Sequence, residues 1–312
     1  MTATRTPATE SSTNHEETTV SDRIGWVGLG GMGRPMAANV ARAGFDLTVC
    51  DLRPEPVAKL VGLGAAAAPD AVATAAAADV LLVSLPGKAA SLEVAAAVFA
   101  AEPRPAVYVE LSTLAPKVMR AMAAQAEAAG VAFVDAPVSG NVRARNEGTL
   151  AVMAGGDAAA FERAKPVLDT IGANVFHLGP VGAGSVAKIS NNLIGLTNLV
   201  TAMEGLLLGA RNGLEVEQLR EVIMTASGAG PSVLGVTHQH RTRRYRESTT
   251  PNAALRIVVK DLELAVELAR EVGLPVRCAE GALASFEEAA AAGLGEAEMF
   301  ALLDHLESVH LT

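Results

Sequence analysis

The stretch Ile24-Gly25-Trp26-Val27-Gly28-Leu29-Gly30-Gly31-Met32-Gly33 governs how the rest of the chain is read. It opens as a short apolar strand, runs into a glycine-rich turn, and is followed by an alanine-rich helical stretch, Pro35–Ala43. The glycines fall as G-x-G-x-x-G across that junction. Gly28 permits the tight turn, Gly30 lets backbone amides approach a pyrophosphate, and Gly33 lets helix and strand pack closely. Leu29, Gly31 and Met32 complete a loop whose helix N-terminus faces negative charge. Alone the hexad is a weak signal, since glycine turns are common. Here a second strand ends in Asp51 at the distance expected for an acid that accepts hydrogen bonds from an adenosine ribose. Strand, turn, helix and acid together point to a bound dinucleotide.

Asp51 would repel a 2′-phosphate, which favours NAD. Arg53 either holds such a phosphate, making NADP possible, or is a solvated turn residue before Pro54. Ser84-Leu85-Pro86 and Leu111-Ser112-Thr113 should lie at carboxyl ends of strands, where ligands bind in such sheets. Leu85, Pro86 and Thr113 are the cofactor candidates there, with ordinary turns as the alternative.

Outward from the glycine loop, short β-rich runs alternate with helical stretches. Strands are expected at Ile24–Leu29, Leu47–Asp51, Val80–Leu85, Ala106–Leu111, Phe133–Asp135, Leu150–Met153 and Val175–Leu178, with helices such as Pro35–Ala43, Ala71–Ala78 and Pro116–Ala129 between the earlier ones. This rhythm predicts an α/β fold, a Rossmann-type doubly wound parallel sheet covered by helices on both faces. After Gly182 the strands stop. Ser185–Arg211, Glu217–Thr225, Ala254–Glu271, Gly281–Ala292 and Glu296–Ser308 all carry helical apolar spacing. The expected division is a disordered tail over 1–21, a dinucleotide-binding domain over 22–182, and an all-α domain over 183–312 for substrate and oligomerisation. The first helix of that second domain, some 25 residues, reaches roughly 40 Å. Such a length should span the domain junction or an oligomer interface.

Composition narrows the function. Half of the 312 residues are hydrophobic and 19% are charged, which supplies sizeable cores and argues against wholesale disorder. A net charge of −9 and 3% aromatic residues speak against nucleic-acid binding. Leu193–Ala210 is the most apolar long segment. Its Thr197, Asn198, Thr201 and Glu204 suggest a buried helix and not a membrane span. Cys50 and Cys278 match no metal or redox spacing, so no metal site is expected. Cys50 reads as a buried thiol, and a reducing cytoplasm fits.

Three further segments carry a resemblance. Asp135-Ala136-Pro137-Val138-Ser139-Gly140, with Gly148-Thr149-Leu150 and Gly155-Gly156, resembles the substrate loop of the β-hydroxyacid dehydrogenases. Gly182-Ala183-Gly184-Ser185-Val186-Ala187-Lys188-Ile189-Ser190-Asn191-Asn192 resembles the catalytic helix of that family, and Lys260-Asp261-Leu262 with Leu264-Ala265 its C-terminal motif. With the glycine loop these cover nearly the whole chain in order, and the 3-hydroxyisobutyrate dehydrogenase-like branch is the nearest in pattern.

The resemblance implies hydride transfer between NAD(P) and a small 3-hydroxy acid. Lys188 would be the general acid/base and Asn192 would hydrogen-bond the reacting oxygen. Ser139, Gly140 and the adjacent Asn141 would meet the substrate carboxylate, and Lys260 would stand beside nicotinamide and substrate. The chemistry is coherent without the name. A lysine partly desolvated in an apolar cleft has a depressed pKa and relays a proton near neutrality. Lys188 and Asn192, four apart, share one helix face. For Lys260 the competing reading is an exposed charge paired with a nearby acid.

Some residues depart from the family pattern. Asn141 stands where a second glycine is usual, and Arg143 and Arg145 replace small residues. Asn252-Ala253-Ala254 replaces an aromatic region, and Arg241–Arg246 is strongly basic. A roomier pocket receiving extra negative charge is one expectation. A solvated loop or an oligomer contact is the other reading of the basic run. Rival functions are an imine reductase, which usually lacks lysine at position 188, a larger sugar-acid dehydrogenase, or a non-catalytic dinucleotide-binding module. The expected partner is a small anionic hydroxy acid, with no nucleic acid and no membrane, in a homodimer or homotetramer.

Overall fold

The computed structural model describes residues 22–247 and 253–309. The expected tail over 1–21 and Asn252 lie outside them. In chain order the first half runs β1 (Ile24–Val27), α1 (Gly33–Arg42), β2 (Leu47–Cys50), α2 (Pro54–Val61), β3 (Ala66–Ala67), α3 (Ala71–Ala76), β4 (Val80–Val83), α4 (Lys88–Ala100) and β5 (Val107–Glu110). It continues with α5 (Pro116–Ala128), β6 (Ala132–Asp135), β7 (Val138–Ser139), α6 (Val142–Glu147), β8 (Leu150–Gly156), α7 (Ala158–Leu168) and β9 (Gly172–His177). The second half is helical: α8 (Ala183–Arg211), α9 (Val216–Met224), α10 (Pro231–Thr242), α11 (Leu255–Glu271), α12 (Arg277–Ala289) and α13 (Ala301–Ser308).

The sheet order is β3-β2-β1-β4-β5-β6-β8-β7, with β9 beside β8. From β3 to β6 every pairing is parallel. Strands β1, β4 and β5 are buried along their whole length, as unbroken apolar runs such as Val80-Leu81-Leu82-Val83 require when both faces are covered. One core, around Trp26, Met36 and Leu82, fills one side, and another, around Leu81, Tyr108 and Met119, fills the other.

The parallel expectation fails at one end, where β8 pairs antiparallel with both β6 and β7. The chain turns back through β7 and reaches β8 by way of the six-residue α6, a connection short enough to favour antiparallel return. The two-residue strands β3 and β7 carry no periodicity that sequence alone could display.

Strands do end at the close of β9, and the second half packs around Leu199, Met203, Leu255, Leu262 and Phe286. Helix α10 fills a stretch where no helix was expected, with Pro231 opening it. Conversely, the helix expected over Glu296–Ser308 begins only at Ala301, because Glu298 is drawn into an isolated bridge with Ala254.

Helix α8 crosses the junction. Its first turns pack on β8, β6 and α5, and its remainder meets α9, α10, α11 and α12. The expectation of a buried helix holds only in part. Leu199, Val200, Met203, Leu206 and Leu207 are buried, whereas Ile194, Asn198, Thr201, Glu204 and Leu208 are exposed. By length and hydropathy it is one helix, among the described residues, that could cross a membrane. Only a third of its apolar window is buried.

Candidate active site

The glycine loop has the geometry that its pattern implies. Gly28 takes φ +91°, and a Cβ on it would stand 2.3 Å from the Ser84 carbonyl oxygen. A Cβ on Gly33 would lie 2.1 Å from the Gly28 oxygen, so α1 and the turn touch as the motif demands. Around Gly30 the space is open. Beside it a cleft of about 520 Å³ is lined by Leu52, Pro54, Val57, Val61 and Ala68 together with Asp51. An open backbone turn at a helix N-terminus beside an apolar cleft fits a dinucleotide, with Gly28–Gly33 for the pyrophosphate and the cleft for the adenosine end.

Asp51 is more committed than its sequence reading suggests. Its Oδ2 accepts the Leu29 N–H at 2.7 Å, and its Oδ1 accepts from the Arg53 backbone at 2.9 Å and from Arg53 Nε at 3.1 Å. Arg53 Nη2 also donates to the Leu29 carbonyl. Partial burial opposes the Asp51 charge, but these donors outweigh it and hold the carboxyl below its usual range. Arg53, its side chain 64% exposed, is tied to the glycine loop through Asp51.

The other cofactor candidates also converge. Leu85 and Pro86 follow β4, and the Leu85 N–H donates to Ser112 Oγ at 2.9 Å. Thr113 follows β5, and its carbonyl accepts from Lys260 Nζ at 3.1 Å. Lys260 also pairs with Asp261 at 2.9 Å. Both readings of Lys260 thus apply: it is paired with an acid, and it reaches from α11 to the loop after β5.

The Asp135 carboxylate anchors α8. It is fully buried and accepts the N–H groups of Gly182 at 2.6 Å and Ser185 at 2.8 Å. Burial pushes its carboxyl upward against those two bonds. One turn further, Lys188 is only 9% exposed. Burial lowers its pKa, Asp261 pulls it back up, and Lys260 pushes it down. Asn192, one turn beyond, donates to Asp261 Oδ2 at 2.8 Å and accepts from Asn191 Nδ2 at 3.2 Å. Asn191 Nδ2 also donates to Ser139 Oγ at 3.2 Å. The loop at Ser139, α8 and α11 are thereby joined around Lys188.

Gly140 is exposed, with Leu150 and Ala144 packed close to its α-carbon. The Asn141 side chain caps α6 by accepting the Ala144 N–H, which occupies its oxygen.

The arginines separate. Arg143 is 82% exposed and pairs with Glu147, one turn along α6. Within the basic run, Arg243 binds Tyr245, Asp304 and Glu307, Arg246 binds Asp304, and Arg241 faces Glu217. These pairings clamp the run onto α13 and α9, so it is not a free loop, although Arg241 and Arg246 stay more than half exposed. Arg145 is different. It is half-buried, with Nη1 3.7 Å from Met32 Sδ at the glycine loop, and Arg34 and Glu298 both act on its charge.

Sequence reasoning did not assign roles to Asp135, Asp261, Asn191 and Glu110. An acid just before Pro137 and a glycine-rich helix start at Gly182 could have hinted at Asp135 as a helix anchor. Asp261 and Asn191 depend on contacts across more than fifty residues that no local pattern carries.

Comparison with known proteins agrees with this geometry. A family model described as the NAD binding domain of 6-phosphogluconate dehydrogenase matches residues 23–179. A second, described as NAD-binding of NADP-dependent 3-hydroxyisobutyrate dehydrogenase, matches 182–306. The 2-(hydroxymethyl)glutarate dehydrogenase of Eubacterium barkeri is 35% identical over 288 residues, covering 91% of this chain and 94% of that one. The 3-hydroxyisobutyrate dehydrogenase of Pseudomonas aeruginosa is 43% identical over 212 residues, 66% of this chain and 70% of that one. Among solved structures, 3-hydroxyisobutyrate dehydrogenase of Mycobacterium tuberculosis with L-serine superposes with a TM-score of 0.80 at 29% identity, covering 92% of this chain and 99% of that one. The chain belongs to the β-hydroxyacid dehydrogenase family, NAD(P)-dependent oxidoreductases that pass a hydride between nicotinamide and a small hydroxy acid.

Proposed function

We propose that this enzyme interconverts a small 3-hydroxy acid of the 3-hydroxyisobutyrate kind and its aldehyde, with Lys188 as general acid/base. The observation that carries the reading is the buried Lys188 on α8, its pKa lowered by burial, beside the Asn192–Asp261 pair. The dinucleotide, when bound, supplies the hydride acceptor or donor. A neutral Lys188 takes the hydroxyl proton during oxidation, and its ammonium returns one to the carbonyl oxygen during reduction. Asn192 steadies that oxygen with the amide hydrogen not given to Asp261. Ser139 and the Gly140 N–H hold the substrate carboxylate, and Lys260 orders the loop at Thr113.

A second acidic group on the substrate is favoured by Arg145, whose guanidinium lies against Met32. The Eubacterium barkeri relative is named for a dicarboxylic hydroxy acid. The exposed Ile194 and Leu208 on α8, interleaved with Asn198, Thr201 and Glu204, support a homodimer or homotetramer joined there. Net charge of −9 supports a small-molecule partner over a nucleic acid, and two unpaired cysteines support a reducing cytoplasm.

The test is turnover followed by nicotinamide absorbance with 3-hydroxyisobutyrate, glycerate, serine and dicarboxylic hydroxy acids. Activity on one of these that Lys188→Ala abolishes supports the reading. Activity confined to imines would overturn it. A dicarboxylate showing no advantage, with Arg145→Ala unchanged, would remove the second acidic group.

A further inference from the structure

The loops after β4 and β5 are joined behind the site by a chain of polar contacts. The Leu85 N–H donates to Ser112 Oγ, and the Ser112 N–H donates to Glu110 Oε1, each at 2.9 Å. Ser91, in the first turn of α4, sets its hydroxyl 3.4 Å from Ser112 Oγ. Glu110, the last residue of β5, has no exposed surface. Its register partners are Val83 on β4 and Asp135 on β6, and the Asp135 carboxylate is already taken by the α8 N–H groups. Tyr108, two residues back on the same strand, buries its hydroxyl as well, and neither that hydroxyl nor Glu110 Oε2 has a hydrogen-bond partner among the described residues. The cation that reaches this loop from α11, Lys260, binds the Thr113 carbonyl.

An acid wholly removed from water at the carboxyl end of a parallel strand is a costly feature, and it lies where such sheets receive ligands. Burial pushes the Glu110 carboxyl up to about 7, against the Ser112 N–H and the hydroxyls of Ser112, Ser91 and Tyr108. Its two protonation states therefore exchange close to neutrality, unlike those of an ordinary carboxylate.

We infer that Glu110 is a positioning residue for the cofactor: through Ser112 it sets both loops, and its ionised form favours the cationic, oxidised nicotinamide over the neutral, reduced one. The inference rests on the reading that Leu85, Pro86 and Thr113 face the nicotinamide end. By linkage, a ligand that favours the ionised form lowers the Glu110 pKa and releases a proton on binding. NAD+ then binds more tightly as pH rises through neutrality, and NADH responds less.

Calorimetric titration of the full-length protein with NAD+ and with NADH, in buffers of different ionisation heat, reads affinity and proton release together. The expected result is NAD+ binding that tightens roughly three- to tenfold from about pH 6 to 8, with a fraction of a proton released. Release should persist in Lys188→Ala and vanish in Glu110→Gln. Ser112→Ala keeps the acid but cuts the link to Leu85, so it should weaken NAD+ binding while release remains. Release that persists in Glu110→Gln, or that vanishes with Lys188→Ala, overturns the inference. If Glu110→Gln does not fold, wild-type affinity in Ser112→Ala overturns it alone. Failure of the wild type to bind NAD+ or NADH would instead strike the cofactor reading on which the inference rests.

Discussion

Asn192 on α8 donates its side-chain amide to Asp261 on α11 at 2.8 Å, and Lys188 lies one turn away within the influence of the same carboxylate. The acid therefore does two things. It orients Asn192, and it supplies the negative charge that keeps the buried lysine from losing its proton too readily.

Replacing Asp261 with asparagine preserves an acceptor for Asn192 but removes that charge. The Lys188 pKa should fall further, because burial and Lys260 then act unopposed. Oxidation needs the neutral amine, so its rate rises with pH through that pKa. In Asp261→Asn the rise should begin at lower pH, while reduction, which needs the ammonium, should fade at lower pH. Paired pH–rate profiles in the two directions check this, and an unmoved inflection would separate Asp261 from the proton step.

Cofactor preference should follow Asp51. Its carboxylate holds the Leu29 N–H and Arg53 together. Asp51→Ala removes the repulsion toward a 2′-phosphate and releases Arg53 to receive one. The ratio of kcat/KM for NAD over NADP should drop by about tenfold or more, mostly through weaker NAD binding. A ratio that stays constant would assign the choice to other residues.

Gly184 tests how α8 is seated. A Cβ there would stand 2.1 Å from the Met153 carbonyl and 2.8 Å from that of Asp135, both backbone atoms. Gly184→Ala should destabilise the protein by about 1–3 kcal/mol, because neither strand can withdraw cheaply. A fall in Tm of roughly 2–4 °C per kcal/mol, with kcat reduced as Lys188 shifts, is the expected outcome in differential scanning calorimetry and turnover assays.

Much of this was legible in the chain. The glycine loop, Asp51, the strand–helix alternation and the change to helices after Gly182 all rest on local patterns of burial and turn chemistry. Lys188 stood out as a lysine beside a glycine-rich junction, and it is buried there. The antiparallel return of β8 was not legible, since a strand's own residues do not state its direction. Nor was the fate of the arginines. Arg243 and Arg246 looked like pocket or surface charge, yet their carboxylate partners include Asp304 and Glu307, some sixty residues away. Asn141 read as a substrate contact from its place after Gly140, and the cap that its oxygen gives α6 was not legible there.

If buried Lys188 moves the proton, removing its amine should stop the chemistry and spare the cofactor. The most direct measurement compares wild type and Lys188→Ala for turnover of the best hydroxy acid and for NAD+ affinity. The expected result is a loss in kcat of about 10²- to 10⁴-fold with the cofactor Kd nearly unchanged. A variant that turns over at the wild-type rate, with the same pH profile, would contradict it.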